Sequence, residues 1–276
     1  NTKNDRVVFK DCGMYSYQDT WITPSLSNCR GYVKNCFIEG AVDFIYNNGD
    51  YFFDECTLNI VRKEGGYIVA PSHDADSKWG YVFMNNTITA PGVPSETSVW
   101  LGRPWHNQPK TVFINTTAEV TIPATGWYET MGGIPAVFAE YNTMDKDGNP
   151  VDLTHRNTYY WYTNDNGQKV EGYAKAVLTA EEAAEYTIKN VLRGTDNWQP
   201  EIITEVCGTP QPTVNKAEGT IEWESVPYAI CYVITKDGKV EGFTTDTYCT
   251  YEEGSEYAIQ AANEYGGLGA KAIVDG

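Results

Sequence analysis

A short residue pattern recurs five times in the first half of the chain and constrains the fold more than any other feature. Each copy has two or more apolar residues, a variable pair, a small polar residue and a further apolar one, as in Val8-Phe9-Lys10-Asp11-Cys12-Gly13-Met14. The small polar position returns every ~20–30 residues, within the range of structural repeats. The five residues at this position are Cys12, Cys36, Cys56, Asn86 and Thr116.

Strand-like segments that recur at this spacing, with little helical pattern between them, are typical of a parallel β-helix. Each coil of such a solenoid buries its apolar face against the next. We therefore predict an all-β fold, a right-handed parallel β-helix whose small polar positions form one inward column. The cysteines of the column are expected to be buried free thiols, and a Cys36–Cys56 disulfide between neighbouring coils is the alternative.

The composition excludes two broad classes of protein. The chain has 20 Lys and Arg against 37 Asp and Glu, a formal net charge of −17, whereas binding of nucleic acid needs a basic surface. No apolar run approaches the ~18 residues of a membrane-spanning helix. No signal peptide is visible at the N-terminus. The 20 tyrosines and 8 tryptophans suit both β-sheets and sugar-stacking surfaces.

Two aspartates occupy the same offset from the column on consecutive coils. Asp19 lies seven residues after Cys12, and Asp43 lies seven residues after Cys36. Side chains at equivalent sites of neighbouring strands are about 4.8 Å apart, so two such carboxylates cannot both ionise at low cost and one pKa should rise. A protonated acid beside a carboxylate suits acid/base or nucleophilic catalysis. The alternative is a pair of solvated surface aspartates.

A backward count from the column adds a cation to this face. Asp43 lies thirteen residues before Cys56, and Arg103 lies thirteen residues before Thr116. We expect Arg103 two coils beyond Asp43, where it can reach back and hold the carboxylate by a charge-assisted hydrogen bond. The same register places His73 on the intervening coil, for which a polar loop role is the simpler interpretation.

Three sequence blocks around these positions resemble a known family, the pectin methylesterases (pectinesterases) of carbohydrate esterase family 8, in their bacterial form. The resemblance covers roughly residues 7–200, and the blocks occur in the family's order. They are Tyr17-Gln18-Asp19-Thr20, Gly40-Ala41-Val42-Asp43-Phe44-Ile45 and Leu101-Gly102-Arg103-Pro104-Trp105.

The resemblance implies hydrolysis of the C6 methyl esters of pectin to pectate and methanol through an aspartyl acyl-enzyme. Asp43 would be the nucleophile, and Asp19 the general acid that becomes the general base. Gln18 would donate a hydrogen bond to the oxyanion, a contact that can contribute ~3 kcal/mol. Arg103 would orient Asp43.

The resemblance also implies how the substrate is bound and where the protein acts. Trp105, Tyr46 and Val42 would contact the polysaccharide, and neither a metal nor a cofactor is needed. Pectin (homogalacturonan) would be the partner of a monomer that is secreted to an extracellular or periplasmic location.

The sequence departs from the family pattern at several places. Ser16 replaces the usual Gly, Trp21 replaces a Leu, and Tyr46-Asn47 replaces Phe-Gly. The family's second oxyanion Gln comes from a preceding coil, so we expect the N-terminal coils to be missing. The alternatives are a non-catalytic polysaccharide-binding β-helix, or another pectin-active β-helix enzyme such as a lyase or a polygalacturonase.

The last third of the chain changes pattern twice. Thr179 and Glu182 form a capping box, which predicts one helix over about 180–192 that packs on the end of the solenoid. After residue 204, short alternating segments at intervals of about ten residues, with turn signals between them, suggest a small β-sandwich. We predict a β-helix over 1–204 and a fibronectin III or immunoglobulin-like module over 205–276, either a spacer or a carbohydrate-binding module.

Overall fold

The computed structural model describes residues 2–94, 97–205 and 207–274. The chain divides into two compact units, Asn1–Trp198 and Gln199–Gly276. Among the helices of the described residues, none is both long enough and apolar enough to cross a lipid bilayer.

The first unit is a solenoid of short strands followed by two short helices. In chain order its elements are β1 (Val7–Lys10), β2 (Gly13–Tyr15), β3 (Trp21–Ile22), β4 (Arg30–Lys34), β5 (Phe37–Gly40), β6 (Val42–Asn47), β7 (Asp50–Asp54), β8 (Thr57–Ile60), β9 (Gly66–Pro71), β10 (Tyr81–Met84), β11 (Thr87–Thr89), β12 (Val99–Gly102), β13 (Lys110–Ile114), β14 (Thr117–Ala118), β15 (Val137–Tyr141), β16 (Met144–Asp145), β17 (Tyr159–Thr163), β18 (Lys169–Tyr173), β19 (Lys175–Val177), α1 (Ala180–Ala184) and α2 (Ile188–Leu192).

Three parallel sheets run along the solenoid. Their strand orders are β1-β4-β7-β10-β13-β15-β19, β2-β5-β8-β11-β14-β16 and β3-β6-β9-β12. Equivalent residues of the predicted repeat pair directly in the first sheet, in the chain of partners Val8, Tyr32, Phe52, Val82 and Val112. The predicted parallel β-helix and the alignment of its five repeats are therefore confirmed.

The small polar column lies inside the solenoid, as predicted. Cys36, Cys56, Asn86 and Thr116 are at most 2% exposed, whereas Cys12 on the first coil is half-buried. All seven cysteines of the chain lie within the described residues and are free thiols. The structure therefore favours buried thiols over a Cys36–Cys56 disulfide.

A second column, which the sequence analysis missed, forms the turn just before the first. Its members all have a positive φ in the left-handed region, which asparagine tolerates better than most residues. Side-chain amides link some neighbours, as where Asn142 donates to Asn115 over 2.8 Å. The six residues are Asp11, Asn35, Glu55, Asn85, Asn115 and Asn142.

The interior is filled by stacked aromatic rings at the same repeat steps. Phe53, Phe83 and Phe113 are fully buried, and successive ring centroids are 4.4 Å apart. Offset aromatic pairs contribute ~0.5–1.5 kcal/mol beyond their buried area. The stack fixes the coils in register and so positions the side chains on the outside of each sheet.

The predicted helix over 180–192 is two helices. The capping box is present, with Thr179 accepting from the Glu182 amide, but α1 ends after Ala184 and Thr187 caps α2 anew. The predicted packing on the end of the solenoid is wrong, because α2 buries Val191 and Leu192 in a cluster with residues on the outer face of the seven-stranded sheet. The outer face of the seven-stranded sheet carries apolar side chains, and the helix covers them.

The second unit begins with a helix and continues as two antiparallel sheets. The sheet orders are β20-β21-β24 and β23-β22-β25-β26. One buried cluster contains residues of both sheets, among them Ile221 and Ile259. The elements are α3 (Pro200–Glu205), β20 (Thr213–Asn215), β21 (Thr220–Glu222), β22 (Cys231–Lys236), β23 (Lys239–Thr244), β24 (Tyr248–Thr250), β25 (Tyr257–Ala262) and β26 (Ala272–Val274).

Candidate active site

Asp19 and Asp43 occupy equivalent places on neighbouring coils. Gln18 bridges Val42 in parallel register, and Trp21 pairs with Ile45 in β3 and β6. The amide of Asp19 donates to the Val42 carbonyl over 3.2 Å. The shared offset in the sequence therefore corresponds to a shared position on the solenoid.

Both aspartates have left-handed backbone conformations, with φ of +55° for Asp19 and +52° for Asp43. At Asp43 the register shifts, because Val42 pairs with Tyr67 and Ile45 pairs with Val69. Three residue steps on β6 thus oppose two on β9, which is a β-bulge, a feature that often re-aims a side chain near an active site.

Arg103 binds the Asp43 carboxylate through two hydrogen bonds. Its Nε donates to Oδ1 over 2.8 Å and its Nη2 donates to Oδ2 over 2.5 Å. Asp43 is 6% exposed, so this fork-to-fork pair is largely removed from water, where charge-assisted bidentate contacts are strong and directional. The sequence prediction that Arg103 reaches back to Asp43 is confirmed.

The register by which the contact was predicted is wrong. Arg103 donates its amide to the Val69 carbonyl, and Gly102 is the strand partner of Val69. Because Tyr46 pairs with Ala70, Arg103 is level with Tyr46 and not with Asp43. Counting residues assumed coils of equal length, whereas the loops differ in length and the bulge adds a residue to β6. The contact still forms because the Arg103 side chain is long enough to reach Asp43.

Tyr67, on the intervening strand β9, supports the guanidinium and was missed by the sequence analysis. The Arg103 Cζ lies 4.4 Å from the centroid of the Tyr67 ring, close enough for a cation–π contact. The Tyr128 ring meets the Tyr67 ring edge-on at 5.4 Å. The only sequence signal for Tyr67 was its place at the start of a strand after Gly66. An aromatic residue in a strand is equally typical of the core, so this signal did not indicate a role in the site.

The surroundings of Asp19 favour the protonated form of its carboxyl group. Asp19 is exposed, but partial desolvation by the surrounding atoms, followed by the negative charge of Asp43, raises the pKa of its carboxyl group. A hydrogen bond from the Gln18 side chain and the positive charge of Arg103 act in the opposite direction. The expected rise of one pKa in the pair is therefore found at Asp19, the carboxyl group that lacks the bidentate arginine.

The predicted substrate-contacting residues lie around the pair. The Tyr46 and Trp105 rings meet edge-on, with centroids 5.5 Å apart, and both side chains are half-buried, as is Val42. Burial and the charge of Asp19 raise the pKa of Tyr46. Gln18 is exposed.

His73 does not belong to this site. It is fully buried, its Nδ1 accepts from the Lys110 amide over 3.0 Å, and its Nε2 lies 3.2 Å from the Gly49 carbonyl oxygen. His73 lies in the loop after β9, as predicted, but it is buried there, and its two ring nitrogens hold the backbone of adjacent coils together. Within the described ranges, no three His, Cys, Asp or Glu side chains are grouped so that they could hold a metal ion.

Comparison with known proteins places this site in context. The putative pectinesterase 14 of Arabidopsis thaliana is 36% identical over 126 residues, which are 45% of this chain and 35% of that protein. The probable pectinesterase A of Aspergillus fumigatus is 34% identical over 140 residues, or 50% of this chain and 42% of that protein. The chain thus spans less than half the length of either relative.

Among solved structures, the pectin methylesterase from Aspergillus niger superposes with a TM-score of 0.50 and 26% sequence identity, covering 69% of this chain and 56% of that one. The family model described as Pectinesterase matches residues 1–195, which include every residue of the site. The chain belongs to the pectinesterase family.

Proposed function

We propose that the chain hydrolyses the C6 methyl esters of pectin, giving pectate and methanol. The observation that carries the proposal is the pair of aspartates at equivalent positions of neighbouring coils, one held at both oxygens by Arg103. Family membership supplies the substrate class, since the relatives are named as pectinesterases.

The two carboxyl groups suit two different roles. Asp43, oriented by the guanidinium, attacks the C6 carbonyl carbon as a carboxylate. Gln18 donates a hydrogen bond to the oxyanion that forms, and Asp19, whose pKa is raised, protonates the departing methanol. A carboxyl group with a raised pKa is suited to donate a proton as a general acid.

The second half of the reaction uses the same residues in reverse. The mixed anhydride between the Asp43 carboxyl group and the galacturonate C6 carbonyl is attacked by a water molecule, whose proton goes to Asp19. Collapse of the second tetrahedral intermediate releases the pectate carboxylate and restores Asp43. Covalent catalysis of this kind replaces one difficult hydrolysis by two easier steps.

Aromatic side chains next to the acid pair bind the sugar chain. Trp105 and Tyr46 offer ring surface, and Val42 offers a small apolar contact beside Asp43. Aromatic rings suit the apolar faces of sugar rings, because they combine large contact area with little conformational entropy to lose.

We further propose a division of labour along the chain. The β-helix over 1–204 is the catalytic part, and the module over 205–276 is a fibronectin III or immunoglobulin-like spacer. Its three-stranded and four-stranded antiparallel sheets sharing one core support this assignment. A wall polymer as substrate favours a secreted monomer in an extracellular or periplasmic location.

The test is methanol release from highly methylated pectin by the full-length gene product. The wild type should release methanol, and Asp43→Asn should reduce the rate by at least a thousandfold while the melting temperature changes little, because asparagine tolerates the left-handed backbone. An undiminished rate would exclude Asp43 as the nucleophile. Binding of pectin without any methanol release by the wild type would favour a non-catalytic polysaccharide-binding protein.

A further inference from the structure

We propose that the hairpin of β17 and β18 is a second sugar-binding platform, which binds methyl-esterified, neutral galacturonosyl units of the polymer whose ester is being cleaved. The inference rests on the proposed function for the identity of the polymer. It assigns a binding role to a segment that lies outside the three family blocks.

The sheet that carries the acid pair continues to the hairpin. Beyond β12, an isolated parallel bridge joins Gly102 to Trp127, and the next joins Thr130 to Trp161 in β17. The amide of Trp161 also donates to the Glu129 carbonyl over 3.1 Å. The hairpin is therefore the next member of the row that begins with β3 and β6.

The strands from β6 to β17 have the same side facing outward, both near Asp43 and at the hairpin. Tyr160 is fully buried in the solenoid core, so its neighbour Trp161 points away from the core. Thr130, the partner of Trp161, is two residues from Tyr128, whose ring contacts Tyr67 beside the catalytic arginine. Residues in register share a face, so Trp161 and Tyr67 lie on one continuous surface.

The outward face of the hairpin is mostly aromatic. Tyr159 pairs with Tyr173, and Trp161 pairs with Glu171, across the two antiparallel strands. The rings of Tyr159 and Tyr173 are 5.5 Å apart, and Tyr173 is 78% exposed. The Tyr159 and Tyr173 rings are inclined by 53°, and the Lys169 Nζ lies 5.3 Å from the Tyr159 centroid and 5.7 Å from the Trp161 centroid. The three aromatic side chains share this face, and Tyr173 offers the most exposed ring surface for stacking on a sugar ring.

The charges on this face favour neutral sugar units over galacturonate. Lys169 is paired with Glu171 over 2.9 Å, and its Nζ donates to the Tyr159 hydroxyl over 2.6 Å. Its charge is thus matched within the hairpin, while Asp165 at the tip adds a negative charge, in a chain of net charge −17. Free galacturonate carboxylates are repelled by such a surface, whereas methyl esters are not.

The distance between the platform and Asp43 determines how long a substrate must be to reach both. Four strand spacings separate β6 from β17, or roughly 19 Å at about 4.8 Å each. A short oligosaccharide bound at Asp43 does not span this distance, whereas a polymer does. The platform should therefore affect the binding of polymeric substrate and leave the chemistry of short substrates unchanged.

The experiment compares four variants of the full-length protein with the wild type. Trp161→Ala and Tyr173→Ala, alone and together, remove the platform, and Tyr162→Ala is the matched control, since Tyr162 lies on the same strand facing the opposite side. For highly esterified pectin we expect the double variant to raise KM about tenfold, the effect of losing a sugar-stacking contact. For methyl-esterified digalacturonate, kcat and KM should stay at the wild-type values.

Binding measured in the Asp43→Asn background separates the two proposals. Calorimetry with highly esterified pectin should show weaker binding when the platform residues are replaced, and fully de-esterified pectate should bind more weakly than pectin does. If the wild type releases no methanol but these binding differences appear, the proposed function fails and the platform stands.

The platform is overturned if the double variant binds and turns over polymer like wild type, or if Tyr162→Ala has the same effect. Equal binding of pectate and pectin would contradict the proposal that the platform prefers methyl-esterified, neutral units. A loss of kcat on the short substrate would show a structural role instead. Tyr173→Ala alone keeps the test valid if the double variant is unstable, because this side chain is largely exposed.

Discussion

Arg103 reaches across the strand β9 to bind both carboxylate oxygens of Asp43, with contacts of 2.8 and 2.5 Å. The two residues are sixty positions apart in the sequence: Asp43 belongs to β6, and Arg103 directly follows β12. Because a planar fork binds a carboxylate at two points, it fixes the rotation of the carboxyl group as well as its position.

Arg103→Lys should therefore lower kcat while leaving KM within about threefold of wild type. Lysine keeps the positive charge but makes only a point contact, so we expect kcat to fall roughly a hundredfold, the scale of a misaligned reacting group. Initial rates of methanol release measure both constants. Arg62→Lys, at a half-buried arginine paired with Glu64, is the control, and a near-wild-type kcat for Arg103→Lys would show that orientation is unimportant.

Tyr67 should act as a positioning residue through its ring. Tyr67→Phe keeps the cation–π contact at 4.4 Å from the guanidinium and should retain nearly full activity. Tyr67→Leu removes a contact worth ~0.5–2 kcal/mol and should lower kcat by roughly 3–30-fold with little change in KM. The measurement compares kcat and KM of the two variants: a loss in kcat alone for Tyr67→Leu, with activity retained in Tyr67→Phe, would support the positioning role. Equal losses for both variants would assign the effect to the hydroxyl or to packing.

The raised pKa of Asp19 predicts that activity and stability both decrease as the pH rises. As the general acid, Asp19 must be protonated, so kcat should fall as the pH rises through its raised pKa. The stability that this group contributes is fully present below the unfolded pKa, near the ordinary value of 3.8, and is lost as the pH rises through the folded pKa. The ionised Asp19 at neutral pH is thus unfavourable in the folded state.

Asp19→Asn should therefore raise the melting temperature at pH 7, with the gain vanishing below about pH 3.5, where the wild-type carboxyl is protonated in both states. Asparagine also suits the φ of +55° at this position. Thermal melts at several pH values measure the effect, and Asp165→Asn, at an exposed turn, is the control. A variant that is less stable than wild type at pH 7 would contradict the sign.

The repeat could be predicted because it is a periodic property of the chain. A solenoid places residues of equal offset side by side, so the column of Cys36 and Cys56 and the pair of Asp19 and Asp43 followed from counting. The count failed at Arg103, where the bulge at Asp43 and the unequal loops shift the register by a few residues. The predicted contact is nevertheless present, because an arginine side chain is long enough to reach Asp43 across this register shift.

Other features have no periodic signal that distinguishes them. Tyr67 looks like any aromatic strand residue until the guanidinium above it is located. The left-handed turn column could have been found, because an acidic residue or an asparagine precedes the small polar position in every copy. The break between α1 and α2 lies at Thr187, whose side chain caps the second helix, whereas the apolar pattern continues across it.

Burial makes His73 a source of acid sensitivity in the fold. Complete burial, aided by the charge of Lys110, lowers the pKa of His73 to about 3. The unfolded state takes up a proton near the ordinary value of 6.5, whereas the folded state does so only near 3. Folding stability should therefore decrease as the pH falls from about 6.5 toward 3.

His73→Gln should flatten this decrease, although it should lower the stability at pH 7, because one amide cannot replace both ring contacts, to Gly49 and to the Lys110 amide. Denaturant midpoints at pH 7, 5.5 and 4 test the prediction. His155→Gln, at an exposed histidine, is the control. An unchanged pH dependence in His73→Gln would show that other groups cause the acid sensitivity.

The ion pair of Glu140 and Arg156 should be the most sensitive polar contact of the solenoid. The side chains are 0% and 1% exposed, the Arg156 Nε lies 2.5 Å from Oε1, and Thr143 donates to Oε2 over 2.8 Å. Arg156 Nη1 also donates to the Pro123 and Ala124 carbonyls. Removing one partner of such a pair leaves an uncompensated buried charge, which typically costs about 3–5 kcal/mol.

Arg156→Met should therefore destabilise the first unit by about 3–5 kcal/mol, whereas the double variant Glu140→Gln, Arg156→Met should recover part of this loss. The recovery is expected because a neutral amide still accepts the Thr143 hydrogen bond at a much smaller desolvation cost. Denaturant unfolding followed by tryptophan fluorescence, with all four members of the cycle, measures the coupling. If Arg156→Met alone costs less than about 1 kcal/mol, water or a rearranged side chain compensates Glu140, and the pair is not a structural requirement of the last coils.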